Sequence, residues 1–143
     1  MSVGAPKIAV KVAEVVKVND LITRFRFVRR DGGPMPGFSG GAHTVVEMDD
    51  NGTRRLNPYS LMSDPADSAG YEISVRRDDT GRGGSLYMHR AVKAGMEMLI
   101  SPPVNLFQPE WRAKKHLMIA GGIGITPFIA QMAQLAAMGA KFE

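Results

Sequence analysis

The stretch Tyr71-Glu72-Ile73-Ser74-Val75-Arg76-Arg77-Asp78-Asp79-Thr80-Gly81-Arg82-Gly83-Gly84-Ser85-Leu86 decides the fold class. Its first half sets Tyr71, Ile73 and Val75 against Glu72, Ser74 and Arg76, the period-2 alternation of a strand with one face in a core. Its second half is a loop of three glycines running into a helical stretch over Ser85 to Ala94. A strand, a glycine loop and a helix start can together anchor a phosphate. The loop would offer backbone donors, Arg82 a bidentate charge and Ser85 a hydroxyl. The same residues read equally well as a mobile surface loop.

Toward the N-terminus, Ile8, Val10 and Val12 alternate with Ala9 and Lys11, and Phe25 and Phe27 with Arg24 and Arg26. Both runs are half-buried strands. The breaker-rich Asp31 to Ala42 gives way to a third strand, His43 to Met48, which enters a hairpin turn at Asp49-Asp50-Asn51-Gly52, where Asn-Gly suits positive φ. Tyr59 to Ser63 is expected as a fourth strand and Met96 to Ser101 as the sixth. Gly (16) and Pro (9) recur between these runs instead of clustering in one linker, so the expected fold is mainly β, a six-stranded antiparallel barrel with one short helix.

After Lys115 the composition changes: from His116 to Glu143 the only charged residues are Lys141 and Glu143. A strand over His116 to Ala120 leads to Gly121-Gly122-Ile123-Gly124-Ile125-Thr126-Pro127 and a helix from Pro127 to about Met138. Thr126 is expected as its N-cap, Pro127 at N1 and Gly139 as its C′ residue, with Lys141 to Glu143 opening another strand. This is the first strand and helix of an α/β nucleotide-binding domain, since one strand and one helix cannot complete a parallel sheet. The expected division is a complete β-barrel domain at 1–112 and the beginning of a truncated α/β domain at 113–143. The glycine turn before the helix suits a diphosphate, although Pro127 replaces the third glycine of the dinucleotide fingerprint, and a plain tight turn fits as well.

Composition bounds the chemistry. Eighteen Lys and Arg against 14 Asp and Glu give a net charge of +4, which favours anionic ligands. The absence of cysteine removes disulfides, thiolate metal sites and Cys-ligated iron–sulfur clusters from these residues. His43, His89 and His116 lack metal-ligand spacing, so no metal is expected. Ten methionines and Trp111 read as core filler. Arg54-Arg55, Arg76-Arg77 and Lys114-Lys115 are pairs and not runs, so no nucleic-acid partner is expected. There is no secretory signal and no apolar run of spanning length, which gives a cytoplasmic expectation with no membrane partner. In Asn57-Pro58-Tyr59-Ser60-Leu61, held extended by Pro58, an aromatic beside a hydroxyl can stack on a flat ring and bond its polar edge; an ordinary barrel strand with Tyr59 packed inward is the alternative.

Taken in order, Asn57-Pro58-Tyr59-Ser60-Leu61, Ile73 to Ser85 and His116 to Phe128 resemble the flavin and nicotinamide signatures of the ferredoxin-reductase superfamily, closest to its phthalate dioxygenase reductase-like branch. Members of that branch join a Greek-key flavin barrel, an NAD(P)-binding α/β domain and a plant-type [2Fe-2S] domain, and feed Rieske-type oxygenases. The resemblance implies FMN, with FAD second, as the flavin, NAD(P)H as donor, a [2Fe-2S] centre only in a part not present here, and a terminal oxygenase as partner. It sets the ring against Tyr59 and Ser60, with Ser60 near flavin N5, and Val75 and Arg76 along the ring and ribityl chain. Arg82, Gly83, Gly84 and Ser85 would surround the phosphate, and Gly122, Gly124 and Thr126 would meet the nicotinamide. The family's arginine two residues before the tyrosine is Asn57 here, a form similar to that in reductases of carnitine monooxygenase systems, and this shifts the phosphate contact to Arg82 and to Arg76 or Arg77. No side chain is required as acid, base or nucleophile, and these residues alone are expected to turn over NADH poorly. The alternatives are an FAD-dependent relative with a haem or dioxygen acceptor, or a non-catalytic basic β-barrel binding an anionic partner.

Overall fold

In a computed structural model that describes residues 7 to 143, the alternating runs pair as the period-2 reading requires. Strand β1 (Ile8–Lys17) lies antiparallel to β2 (Ile22–Arg29), and Val10, Val12, Phe25 and Phe27 are fully buried between the sheet's curled faces. A β-bulge between Val12 and Glu14 increases the local coiling. The hairpin β3 (His43–Asp50) and β4 (Thr53–Ser60) turns at Asn51 and Gly52, with φ of 52° and 88°. Both turn residues are left-handed, as a two-residue hairpin needs.

Adding β5 (Tyr71–Arg76) and β6 (Glu97–Ile100) gives one antiparallel sheet in the order β4-β3-β6-β1-β2-β5, with Greek-key crossings from β2 to β3 and from β5 to β6. The chain just beyond β4 brings the two edges together: Met62 N–H donates to Glu72 C=O at 2.9 Å, and Glu72 N–H to Ser63 Oγ at 3.2 Å. Helix α1 (Gly84–Ala91) caps one end, burying Met88 in the core with Tyr71, Ile73, Leu61 and Ile100. His89 fastens it, with Nε2 2.7 Å from Val75 C=O and Nδ1 3.4 Å from Thr23 Oγ1.

Several boundaries differ from those expected. The fourth strand is Thr53–Ser60, not Tyr59 to Ser63: residues 61 to 63 leave β3 to meet Ala42 and β5. Helix α1 ends at Ala91 because Val92 is already extended. Ser101 pairs with Val45 through its hydroxyl as well as its N–H, which ends β6 at Ile100. Trp111 is only half-buried, and its indole donates to Gln108 Oε1 at 3.3 Å, so it fills no core.

The C-terminal residues form β7 (Lys115–His116), a 3₁₀ turn (Gly122–Ile125), α2 (Thr126–Ala137) and β8 (Lys141–Phe142). Strands β7 and β8 are parallel, and their hydrogen bonds run from Glu143 N–H to His116 C=O and from Met118 N–H to Glu143 C=O. Gly139, at φ 71°, closes α2 as a Schellman cap: Gly139 N–H bonds Ala136 C=O and Ala140 N–H bonds Leu135 C=O. Thr126, however, is not an N-cap. The 3₁₀ turn feeds straight into the helix, Thr126 is already helical, and its hydroxyl turns back to Ile123 C=O at 3.2 Å.

Helix α2 docks on the loop before β3, at Gly40 and Gly41. A β-carbon on Gly40 would stand 2.6 Å from Gln131 Cα, and one on Gly41 would stand 2.1 Å from Phe107 C=O. Gly40 N–H donates to Gln134 Oε1 at 2.8 Å, and Gln131 Nε2 to Phe107 C=O at 2.7 Å. This contact carries the N-terminus of α2 toward the end of β4.

Candidate functional site

Alternation along β4 sends Arg55, Asn57 and Tyr59 to one face, where all three are half-buried, while Arg54, Leu56 and Pro58 are exposed. That face meets the start of α1. The Asn57 amide packs so closely on Gly84 that a β-carbon there would lie 2.2 Å from Nδ2. Gly83 is glycine for a different reason, its φ of 104°. Asn57 Nδ2 donates to Tyr59 Oη at 3.1 Å, which leaves the phenolic proton free for another acceptor. Burial pushes the Tyr59 hydroxyl pKa above its ordinary value, against the opposing pull of the Asn57 hydrogen bond.

No side chain caps α1, so its first N–H groups face the loop 78–83 with the positive end of the helix dipole. The loop is shaped by Asp78, whose carboxylate accepts from Thr80 N–H at 3.0 Å and Thr80 Oγ1 at 2.9 Å. Those bonds hold its pKa below the usual carboxylate value. Ser85 Oγ accepts from Asp78 N–H at 2.9 Å, which ties the hydroxyl at the start of α1 to the loop. Arg82 and Arg76 are exposed, and Arg77 is paired with Asp79 at 2.8 Å.

The side chain of Val75 is 1% exposed and belongs to the core, so β5 offers a ligand main chain instead. Arg77 N–H bonds Leu21 C=O, and Glu72 faces Met62 across the opening. By the alternation of the ladder, the backbone groups of Ser74 and Arg76 therefore point to that same open edge, opposite Tyr59. They can hydrogen-bond the polar rim of a planar ring. Beside this edge, Ser60, Pro58 and His43 share an open cleft of about 450 Å³ with Leu106, Phe107 and Pro127. The turn before α2 is glycine-lined and open. Gly122 has φ of 56°, and β-carbons on Gly121, Gly122 or Gly124 would meet nothing within 4 Å, which leaves its backbone accessible to a ligand.

Asn57, Tyr59, Gly83 and Gly84 thus converge on one wall. Ser60 and Pro127 at the start of α2 flank the neighbouring cleft, while Thr126 beside it is buried and bonds back to Ile123. Three residues escaped the sequence reading. Arg55, counted there as half of a charge pair, lies over Gly83, with Cζ 3.1 Å from where a β-carbon would be. The signal was its i, i+2, i+4 spacing with Asn57 and Tyr59. Gly40 and Gly41 were read only as loop breakers.

No family model matches the chain. It is 47% identical over 126 residues to the carnitine monooxygenase reductase subunit of Escherichia coli (strain K12), covering 88% of this chain and 39% of that protein. It is 44% identical over 134 residues to the heme-dependent oxidative N-demethylase beta subunit of Ectopseudomonas mendocina (strain ymp), covering 94% and 42%. The solved structure of phthalate dioxygenase reductase, described as modular for electron transfer from pyridine nucleotides to [2Fe-2S], matches with a TM-score of 0.87 and 37% identity over 95% of this chain and 41% of that one. The chain spans about two fifths of the length of these relatives. By sequence this chain is homologous to these reductase components, and its curled six-stranded sheet has the fold of the flavin-binding ferredoxin-reductase-like domain.

Proposed function

We propose that residues 1–112 are the flavin-binding domain, and 113–143 the opening of the NAD(P)-binding domain, of an NAD(P)H-dependent reductase component that supplies an oxygenase with electrons. FMN is the proposed flavin, and a [2Fe-2S] relay belongs to a part of the protein outside this sequence. The observation that carries the reading is the convergence of the Asn57–Tyr59 face of β4 with Gly83 and Gly84 at the uncapped start of α1. A hydroxyl-bearing aromatic wall next to a source of backbone N–H groups suits a molecule with a flat polar ring at one end and a phosphate at the other.

A bound flavin supplies the redox chemistry, accepting a hydride from a nicotinamide and releasing electrons one at a time. This chain's residues bind and orient. Tyr59 stacks on the ring, with Ser60 at its N5 edge. The main chain at Ser74 and Arg76, on either side of the buried Val75, follows the ring and ribityl chain, and Gly83 and Gly84 hold the phosphate with Arg82. The open glycine turn at Gly122 and Gly124, with Thr126, receives the nicotinamide end of NAD(P)H near Ser60. Residues 1–143 alone bind flavin and reduce it poorly with NADH.

The test is an absorbance scan of the purified chain before and after loading with FMN and desalting. Retention of the two bands of oxidised flavin is the expected result; a colourless protein would overturn the reading. A second acceptor class is supported by one observation, the 44% identity to a subunit named for a heme-dependent demethylase. Under that reading the same flavin site serves a haem partner, and FAD competing better than FMN for the site would favour it.

A further inference from the structure

The Arg55 guanidinium is held at the start of α1 by groups that leave part of it unused. Its Nε donates to Asp50 Oδ2 at 3.1 Å, and its Nη1 to the Arg82 carbonyl. Nη2 lies 3.1 Å from the position of a β-carbon on Gly83 and has no acceptor among the described residues. The side chain is only 26% exposed, so it is fixed against the loop rather than free in solvent.

Charge around it does not balance. Asp50 is shared, since its other oxygen accepts from Arg90 Nη2 at 2.9 Å, so two guanidinium groups divide one carboxylate. Exposed Arg82 adds a third cation, and the uncapped N-terminus of α1 adds partial positive charge at the same place. Three-quarters burial, an unused N–H pair and a net positive surround are what a dianionic phosphate would satisfy.

We propose that Arg55 is a phosphate-binding arginine of this chain beside Arg82, positioned by Asp50, and that it replaces the guanidinium which Asn57 cannot provide. The proposal rests on the flavin reading above and deepens it: Arg55 makes the site select phosphorylated flavin over riboflavin. Arg77 cannot take this part while paired to Asp79.

The test titrates FMN and riboflavin against the wild-type chain, Arg55→Ala, Arg55→Lys and, as a control, Arg54→Ala, whose guanidinium binds Glu47 on the opposite face. Circular dichroism checks that each variant is folded. Arg55→Ala should weaken FMN about 10- to 100-fold, the loss of a charge-assisted contact, and leave riboflavin unchanged. Arg55→Lys should fall between, and Arg54→Ala should match wild type. Equal weakening of both flavins would reduce Arg55 to a support for the loop, and no weakening of either would remove it from the site; both outcomes overturn the assignment alone. A wild-type chain that binds neither flavin would overturn the functional reading and the assignment together.

Discussion

Replacing Gly40 with alanine tests whether α2 and the loop before β3 are set at their distance by an absent side chain. The new methyl would stand 2.6 Å from Gln131 Cα, 2.7 Å from its backbone nitrogen and 3.0 Å from the Ala130 carbonyl carbon. These are backbone atoms, so no rotamer change relieves the clash. Relaxed carbon contacts lie near 3.5–4.0 Å, and α2 must therefore withdraw by about 1 Å. Withdrawal breaks the Gly40–Gln134 and Gln131–Phe107 hydrogen bonds. At roughly 1 kcal/mol for each bond and 1–3 kcal/mol for overpacking, less up to about 1 kcal/mol gained from a stiffer unfolded chain, the net loss is about 2–5 kcal/mol. Gly37→Ala, in the same loop with nothing within 4 Å, is the control and should be neutral or slightly stabilising. Urea denaturation followed by circular dichroism and by Trp111 fluorescence measures both. Hydrogen exchange should report loosening confined to α2 and residues 105–113. Equal stability of the two variants would refute the reasoning.

Arg82→Ala should weaken FMN binding by roughly 1.5–3 kcal/mol if its exposed guanidinium closes on the phosphate, and an unchanged dissociation constant in a flavin titration would remove it from the site. Burial pushes the Tyr71 hydroxyl, which donates to Pro36 C=O, up to about 12, whereas an unfolded tyrosine titrates near 10. The unfolded chain therefore loses this proton first. The stabilisation is complete below pH ~10 and declines as pH rises toward 12, with a slope of at most about 1.4 kcal/mol per pH unit. Tyr71→Phe should flatten that alkaline decline in urea midpoints, and an identical slope in both proteins would contradict the assignment. His89→Ala should cost about 1–3 kcal/mol by removing the clasp between α1 and Val75 C=O, lowering the melting temperature and FMN affinity together. An unaltered melting temperature would count against it.

The strands whose apolar residues alternate were legible because one face of each is in the core, as at Tyr71, Ile73 and Val75. Strand β4 was not, because neither of its faces is deeply buried, so the expected strand begins only at Tyr59 and runs on to Ser63, and Arg54-Arg55 reads as no more than a charge pair. Of the expected strand over His116 to Ala120, His116 pairs in β7 and Met118 N–H bonds Glu143 C=O. The capping role assigned to Thr126 failed because a 3₁₀ turn supplies the start of the helix, and composition cannot distinguish it from an extended entry.

At the site, residue type was legible and residue purpose was not. Gly83 and Gly84 are adjacent and identical in the sequence, yet one is required by a left-handed backbone and the other by the amide of Asn57. Arg54 and Arg55 are likewise adjacent, and the strand sends the first to Glu47 and the second to Asp50 and the Arg82 carbonyl of the loop before α1. The departure at Asn57 then has a physical sense. Residues two apart on a strand stand about 7 Å apart on one face, so an arginine at 57 would place a second guanidinium beside that of Arg55, and it would have to fit where Gly84 already leaves no room for a methyl. Asparagine at 57, glycine at 84 and arginine at 55 are in this sense one solution. The small amide lets the helix start approach β4, and the charge is carried one step along the strand, at Arg55, where Asp50 can hold it.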